Sequence, residues 1–73
     1  MLDWIPVAGS LRIIAMAYDA TSETIYVRFP NNIEWFYAGC PQQIWEEFSG
    51  PNTSKGQYIS TVLNGHSNGR WVG

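Results

Sequence analysis

The sequence predicts an α+β fold in which a three-stranded antiparallel meander is followed by two short helices. In the first half of the chain, three runs of β-branched and aromatic residues are separated by turn formers. In the second half, apolar residues recur at helical spacing. The chain has 73 residues, which is room for one domain; at this size a fold buries only ~60% of the surface that the unfolded chain exposes.

The three strands are predicted from apolar and alternating runs. Leu11–Tyr18 is an apolar run that ends in turn-forming residues. Thr24–Phe29 alternates β-branched and aromatic residues, and Ile33–Ala38 is the third run. Asn tolerates left-handed turn conformations. We therefore predict a tight two-residue turn at Asn31-Asn32, between the second and third strands.

The two helices follow a break at Gly39-Cys40-Pro41. Proline suits the first position of a helix, and Gly50-Pro51 ends the first one. A second helix is predicted from Ser54 to the terminator Gly65, with Ser54 and Gln57 at the spacing of a capping box. Helices this short are not stable alone in water. Their apolar faces must therefore pack on one face of the sheet.

The two ends of the chain carry no clear periodic pattern. Pro6 and Gly9 discourage regular structure near the start. We therefore predict a lead-in at residues 1–9, a domain at residues 10–65 and a tail rich in Gly and Asn at residues 66–73.

Composition excludes several kinds of site. Cys40 is the only cysteine and His66 the only histidine, so neither an intrachain disulfide nor a structural zinc site is expected, and no cofactor is predicted. Four Lys or Arg against six Asp or Glu give a net charge of −2. Binding to long DNA or RNA through a basic patch is therefore not expected.

No membrane segment or signal peptide is predicted. The chain has no apolar run near the ~20 residues that a membrane span requires. Its start, Met1-Leu2-Asp3-Trp4, lacks the basic and apolar regions of a signal peptide. We expect a soluble, cytoplasmic protein with no membrane partner.

The predicted turn would gather an aromatic set on one face of the sheet. With two residues in the turn, Arg28 lies opposite Trp35, and Tyr26 lies opposite Tyr37. Such a face could stack a nucleobase, with Arg28 meeting a phosphate or a ring. Alternatively, the first helix or a second subunit buries it, and sequence leaves both interpretations open.

A second candidate site is Ser54-Lys55-Gly56. Free N–H groups at a helix start attract anions, Lys55 adds a positive charge, and Gly56 lets a ligand approach the backbone. Together with Arg70, this segment could neutralise the phosphate of a nucleotide. The alternative is simple helix capping beside a solvated lysine.

No arrangement of residues predicts catalysis. A nucleophile needs a positioned base, and His66 lies in the predicted tail. Cys40 is interpreted as a small buried residue. Glu46 and Glu47 are adjacent, so on a helix they point about 100° apart. We expect a protein that is not an enzyme.

Six short motifs lie in order between Ser10 and Gly65: Ser10…Tyr18-Asp19, Ile25-x-Val27-x-Phe29, Asn31-Asn32, Trp35-x-Tyr37, Cys40-Pro41 and Ser54-Lys55-Gly56-Gln57-Tyr58. Together they resemble the KTSC domain, which has Asn-Gly, Tyr-x-Tyr and Val-Pro at the third, fourth and fifth of these motifs. This family is named for a short domain at the C-terminus of some lysyl-tRNA synthetases, and it also occurs as stand-alone small proteins.

The resemblance implies a domain without an established enzymatic activity. RNA binding is suggested for the family through its association with a synthetase. This chain departs from the family after the second helix, where relatives tend to be more basic, and that departure weakens the RNA hypothesis here.

The leading hypothesis is a non-enzymatic module that binds a nucleotide-like ligand, for example a phage sponge for a nucleotide immune signal. A small monomer forms few pockets, so a homo-oligomer is expected. The alternatives are a protein-interaction module or inhibitor, and an RNA-binding accessory domain. The predicted ligand-binding residues are Tyr26, Arg28, Trp35, Tyr37, Ser54, Lys55, Gly56 and Arg70. In the interaction hypothesis the interface anchors would be Trp4, Trp35, Trp45 and Trp71.

Overall fold

The computed structural model describes residues 2–72 and shows one antiparallel sheet of five strands with two helices. The strands are β1 (Ile5–Pro6), β2 (Ala15–Asp19), β3 (Thr24–Arg28), β4 (Glu34–Tyr37) and β5 (Asn68–Trp71). They lie in the order β1-β2-β3-β4-β5, with every neighbouring pair antiparallel. Between β4 and β5 come α1 (Gln42–Ser49), α2 (Lys55–Thr61) and a 3₁₀ turn (Leu63–Gly65).

The α+β class is confirmed, but the prediction of three strands was too low. Ile5–Pro6 in the predicted lead-in pairs with β2, and Asn68–Trp71 in the predicted tail pairs with β4. Pro, Gly and Asn have low strand propensity, which is why sequence pattern missed both segments. Both segments nevertheless form strands because they lie at the edges of the sheet, where a strand needs only one hydrogen-bonded neighbour.

The prediction of a two-residue turn between β3 and β4 was wrong. The backbone N–H of Phe29 donates to the carbonyl oxygen of Ile33 at 2.9 Å, and that of Asn32 donates to Phe29 at 2.8 Å. Asn32 has φ of 66°. This is a three-residue loop, a turn followed by one left-handed residue. Val27 consequently pairs with Trp35 and Arg28 pairs with Glu34, one residue out of the predicted register.

Both helices begin and end close to where the sequence places them. Pro41 precedes α1 and Gly50 follows it. Ser54 holds the N-cap position of α2, but its side chain makes no capping hydrogen bond, so the predicted capping box does not form. The 3₁₀ turn then ends at Gly65.

The hydrophobic core lies between the helices and one face of the sheet. Phe48 of α1 and Ile59 of α2 are buried in one cluster with Ile25 and Val27 of β3, which are fully buried. The other buried members of this cluster are Ile13, Met16, Tyr37, Cys40 and Leu63. Because strand side chains alternate between faces, the opposite face of the sheet is left on the side away from both helices.

Candidate ligand-binding face

The face of the sheet away from the helices carries an aromatic cluster. We call it the open face. Strand register places these residues on it: Pro6, Ala15, Ala17, Asp19, Thr24, Tyr26, Arg28, Glu34, Phe36, Gly69 and Trp71. Trp4, which precedes β1, joins them through its contacts with Trp71 and Arg28. The open face thus contains four aromatic side chains and the ion pair of Arg28 with Glu34.

Two tryptophans from the ends of the chain meet on the open face. The rings of Trp4 and Trp71 have centroids 6.3 Å apart and planes tilted by 53°. Trp71 also contacts Tyr26 edge to face, at 4.9 Å and 60°. Edge-to-face pairs of this kind contribute about 0.5–1.5 kcal/mol beyond the area that they bury. The contacts join β5 to β3 across the intervening strand.

Arg28 is held in place by an acid and a ring. Its Nε donates to Glu34 Oε2 at 2.8 Å, and its NH2 group lies 2.7 Å from the same oxygen. The guanidinium carbon is 4.4 Å from the centroid of the Trp4 ring. The Arg28 charge is therefore paired with Glu34 and also supports Trp4 by a cation–π contact.

A hollow of about 590 Å³ opens beside this cluster. Its wall includes Leu2, Trp4, Asp19, Ala20, Tyr26 and Trp71. Asp19 Oδ1 accepts a hydrogen bond from the Thr21 backbone N–H at 3.0 Å, which orients this carboxylate at the turn after β2. In the part of the chain that the structure describes, the hollow thus combines aromatic walls with the Asp19 carboxylate.

The predicted aromatic set is divided between the two faces of the sheet. Tyr26 and Arg28 lie on the open face, whereas Trp35 and Tyr37 point toward the helices. Tyr37 is buried, and burial raises the pKa of its hydroxyl. Trp35 is half-buried, and its Nε1 donates to Asn68 Oδ1 at 3.0 Å. The prediction that all four share one face was wrong because the turn contains a third residue.

Lys55 holds the end of α1. Its Nζ donates to the carbonyl oxygens of Phe48 at 2.6 Å and Gly50 at 2.8 Å. Desolvation by burial lowers the pKa of this ammonium group. The predicted solvated lysine is thus a partly buried one whose donors satisfy orphan carbonyls at a helix end.

The Ser54–Gly56 segment lines a separate cleft of about 670 Å³. The other wall is the loop before β2, including Ser10 and Arg12. A Cβ added at Gly56 would lie 3.3 Å from Arg12 Cβ, so the glycine allows close packing of this loop. Arg70 is exposed on the edge strand, in register with Trp35 on the helix side. The eight predicted ligand residues therefore do not form one site.

The residues that sequence analysis left out of the ligand set are Trp4, Asp19 and Trp71. Trp4 and Trp71 were considered only as interface anchors, because neither terminal segment was predicted to join the sheet. The alternation Gly69-Arg70-Trp71 is the signal that could have placed Trp71 on a strand face.

Cys40 and the acidic residues offer no metal site in the described residues. No group of three His, Cys, Asp or Glu side chains within residues 2–72 could hold an ion. Cys40 is fully buried, and burial raises the pKa of its thiol. Within the same residues, no helix is long and apolar enough to cross a membrane.

Comparison with protein families identifies the fold. The model of the KTSC domain matches residues 9–66. The chain belongs to the KTSC domain family. The crystal structure of a KTSC domain protein from Yersinia pestis superposes with a TM-score of 0.86 at 23% sequence identity, covering 99% of this chain and 100% of that one. A search of curated proteins found no match.

The structural match extends beyond the residues matched by the family model. It covers nearly all of this KTSC domain, so both edge strands lie within the shared fold. At this level of identity the likeness supports the fold alone. The hollow and its chemistry are therefore argued from this chain's own residues.

Proposed function

We propose that this KTSC domain is a non-enzymatic binding module that takes a small nucleotide-like ligand in the hollow of its open face. The observation that carries the proposal is the hollow of about 590 Å³ walled by Trp4, Tyr26 and Trp71. Small-molecule sites have volumes of roughly 300–1,000 Å³. Stacking on an aromatic side chain is worth about 1–3 kcal/mol per base.

The proposal changes the set of binding residues. Tyr26 and Arg28 remain from the sequence hypothesis, and Trp4 and Trp71 replace Trp35 and Tyr37. Arg28 is paired with Glu34, so its role is to hold the Trp4 ring rather than to bind phosphate. Ser54, Lys55, Gly56 and Arg70 belong to the other side of the molecule and are left out of this site.

A role in binding rather than catalysis is supported by the chemistry of the wall. Among the described residues, the wall presents aromatic rings and the Asp19 carboxylate, and general acid–base or nucleophilic catalysis needs a positioned pair of groups. The one thiol of the chain is buried on the opposite side of the sheet. A protein that sequesters a nucleotide signal, such as a phage sponge, is one biological form of this function.

The first test measures whether the purified protein carries or binds a nucleotide. The ratio of absorbance at 260 and 280 nm, with mass spectrometry of released material, detects a retained ligand. Thermal-shift screening with nucleosides, mononucleotides and cyclic dinucleotides detects added ones. We expect at least one of these classes to raise the melting temperature; no shift with any of them would overturn the proposal.

Variants then locate the site. Replacing Trp71 with Leu should weaken ligand binding at least tenfold, since a stacking contact of about 1.4 kcal/mol corresponds to a factor of ten. Arg70→Gln is the matched control, because this neighbour on β5 points to the other face. Equal loss in both variants would show that β5, and not the Trp71 ring, is what matters.

A second candidate function is protein interaction through the open face. Of the four tryptophans, Trp35 and Trp45 pack against the core, whereas Trp4 and Trp71 lie on the open face. Tryptophan is enriched among residues that dominate interface energies. In this form the partner is another protein or a second copy of the chain, which would give the expected homo-oligomer.

Light scattering separates the two functions. Association through the open face should give a dimer mass that falls to the monomer mass in Trp4→Glu, because a charge at the centre of an apolar interface is costly. Glu46→Lys on α1 is the control for a change of surface charge. A dimer that persists in Trp4→Glu would place the interface elsewhere.

A further inference from the structure

The charge of the hollow restricts which ligand it can hold. Asp19 is the ionisable acid in its wall, and no Lys, Arg or His is among the lining residues that the structure describes. The nearby Arg28 is neutralised by Glu34 at 2.7 Å. The wall is therefore negative or neutral, and the whole chain has a net charge of −2. A ligand with a positive charge gains from this field.

The aromatic rings of the wall also favour a positively charged ligand. The faces of Trp and Tyr rings carry negative quadrupole charge and attract cations, with Trp the strongest. Trp71 is tilted by 53° to Trp4 and by 60° to Tyr26. The three rings are thus held at different angles in the wall of one hollow, which also includes Asp19.

We propose that the hollow selects a nucleobase that carries a fixed positive charge, such as an N-methylated purine. This inference rests on the proposed function, and it names the ligand class of the same site. The charged ring stacks on Trp71, since the Arg28 guanidinium already lies over the Trp4 ring, and Asp19 pairs with the positive charge. Phosphate groups of the ligand lie toward solvent, because no basic side chain of the described wall faces them.

The test compares two ligands that differ by one methyl group and one charge. Titration calorimetry with guanosine and 7-methylguanosine is run at a mildly acidic pH that keeps the methylated ring positive. We expect 7-methylguanosine to bind at least about fivefold tighter, the factor that about 1 kcal/mol of cation–π attraction gives. The neutral isomer 1-methylguanosine controls for the added methyl group and should bind like guanosine.

The outcomes separate this inference from the proposed function. Equal binding of all three nucleosides would overturn charge selection and leave the nucleotide proposal intact. Absence of binding by any of them, together with absence of a shift in the wider nucleotide screen, would overturn both. A 5′-monophosphate of 7-methylguanosine that binds much tighter than the nucleoside would also overturn the inference, since it would require a cation that the wall does not offer.

A matched pair of charge variants tests the role of Asp19. Asp19→Asn keeps the oxygen that accepts from Thr21 and removes the negative charge. It should lower affinity for 7-methylguanosine about two- to fivefold, the range for a partly exposed ion pair, and leave guanosine affinity unchanged. Glu46→Gln makes the same change in net charge on α1 and should alter neither. An equal effect of both variants would mean that overall charge, and not Asp19, governs binding.

Discussion

Phe29 and Ile33 pair across a three-residue loop, with the Phe29 N–H donating to the Ile33 carbonyl oxygen at 2.9 Å. This bond fixes the register of β3 against β4. Because side chains alternate along a strand, one residue more or less in the loop exchanges the two faces of β4 relative to β3. The identity of the open face therefore depends on this loop.

Asn32 is the residue whose backbone makes the loop possible. Its φ of 66° lies in the left-handed region, which costs roughly 1–2 kcal/mol for a residue with a Cβ and less for Asn. We expect Asn32→Ala to lower the free energy of unfolding by about 1 kcal/mol, and Asn32→Gly to be neutral or slightly stabilising. Urea unfolding of the two variants checks this. If Ala and Gly give equal stability, strain at this position does not matter.

We expect Lys55 to stabilise the folded state through its contacts with the end of α1. Lys55→Met keeps most of the apolar stem and removes the two donors to the carbonyl groups of Phe48 and Gly50. Hydrogen bonds to a charged group contribute about 1.5–3 kcal/mol, so we expect a loss of roughly that size. Chemical denaturation measures it. Arg70→Met, which removes an exposed charge, is the control and should change stability by less than about 0.5 kcal/mol.

Gly69 gives β5 room to lie beside Phe36. A Cβ at this position would be 3.1 Å from Phe36 Cε2, whereas a Cβ at Gly65 would meet nothing within 4 Å. We expect Gly69→Ala to lower stability by about 1 kcal/mol or more through overpacking, and Gly65→Ala to have little effect. Amide hydrogen exchange at residues 68–71 should be faster in Gly69→Ala. Unchanged exchange there would show that Phe36 yields without disturbing β5.

The raised pKa of Tyr58 leads us to expect a loss of folding stability at high pH. Burial, together with the hydrogen bond from its hydroxyl to Glu47 Oε1 at 2.8 Å, raises its pKa to about 12. The unfolded chain releases this proton near pH ~10. Between these values the folded state binds more protons, so its stability is present below pH ~10 and is lost as pH rises toward 12.

The pH dependence is measured by melting temperature across this range. Tyr58→Phe should have a shallower decline than the parent protein. It should not be flat, because burial also raises the pKa of Tyr18 and Tyr37. Parallel curves for the parent and Tyr58→Phe would contradict the assignment to Tyr58.

Local signals predicted the helices well and the sheet only in part. Pro41 and Gly50 mark the two ends of α1. The conformational preferences of proline and glycine lie in their own backbone, so they can be predicted without knowing the tertiary contacts. The loop between β3 and β4 was mispredicted because Pro30-Asn31-Asn32 can form a turn of either length. The three-residue form is the one that places Trp35 and Tyr37 of β4 on the core side of the sheet.

Sequence analysis named some of the residues around the hollow as ligand-binding residues and left others out. Tyr26 and Arg28 belong to a strand with clear alternation, and they lie on the open face. Trp4 and Trp71 belong to edge segments whose pairing depends on tertiary contacts, and the short alternation around Trp71 is a weak local signal. The site is therefore assembled from β2 and β3, which were predicted as strands, and from two edge segments that were not.

The contact between Trp4 and Trp71 has a consequence for folding. It joins positions near the two ends of the chain, so it closes a loop of almost the whole sequence and carries a large entropy cost. Contacts of such high sequence separation generally form slowly, after hairpins such as β2–β3. We infer that the edge strands attach late and detach first, and that the aromatic cluster can open while the core beneath the helices stays folded.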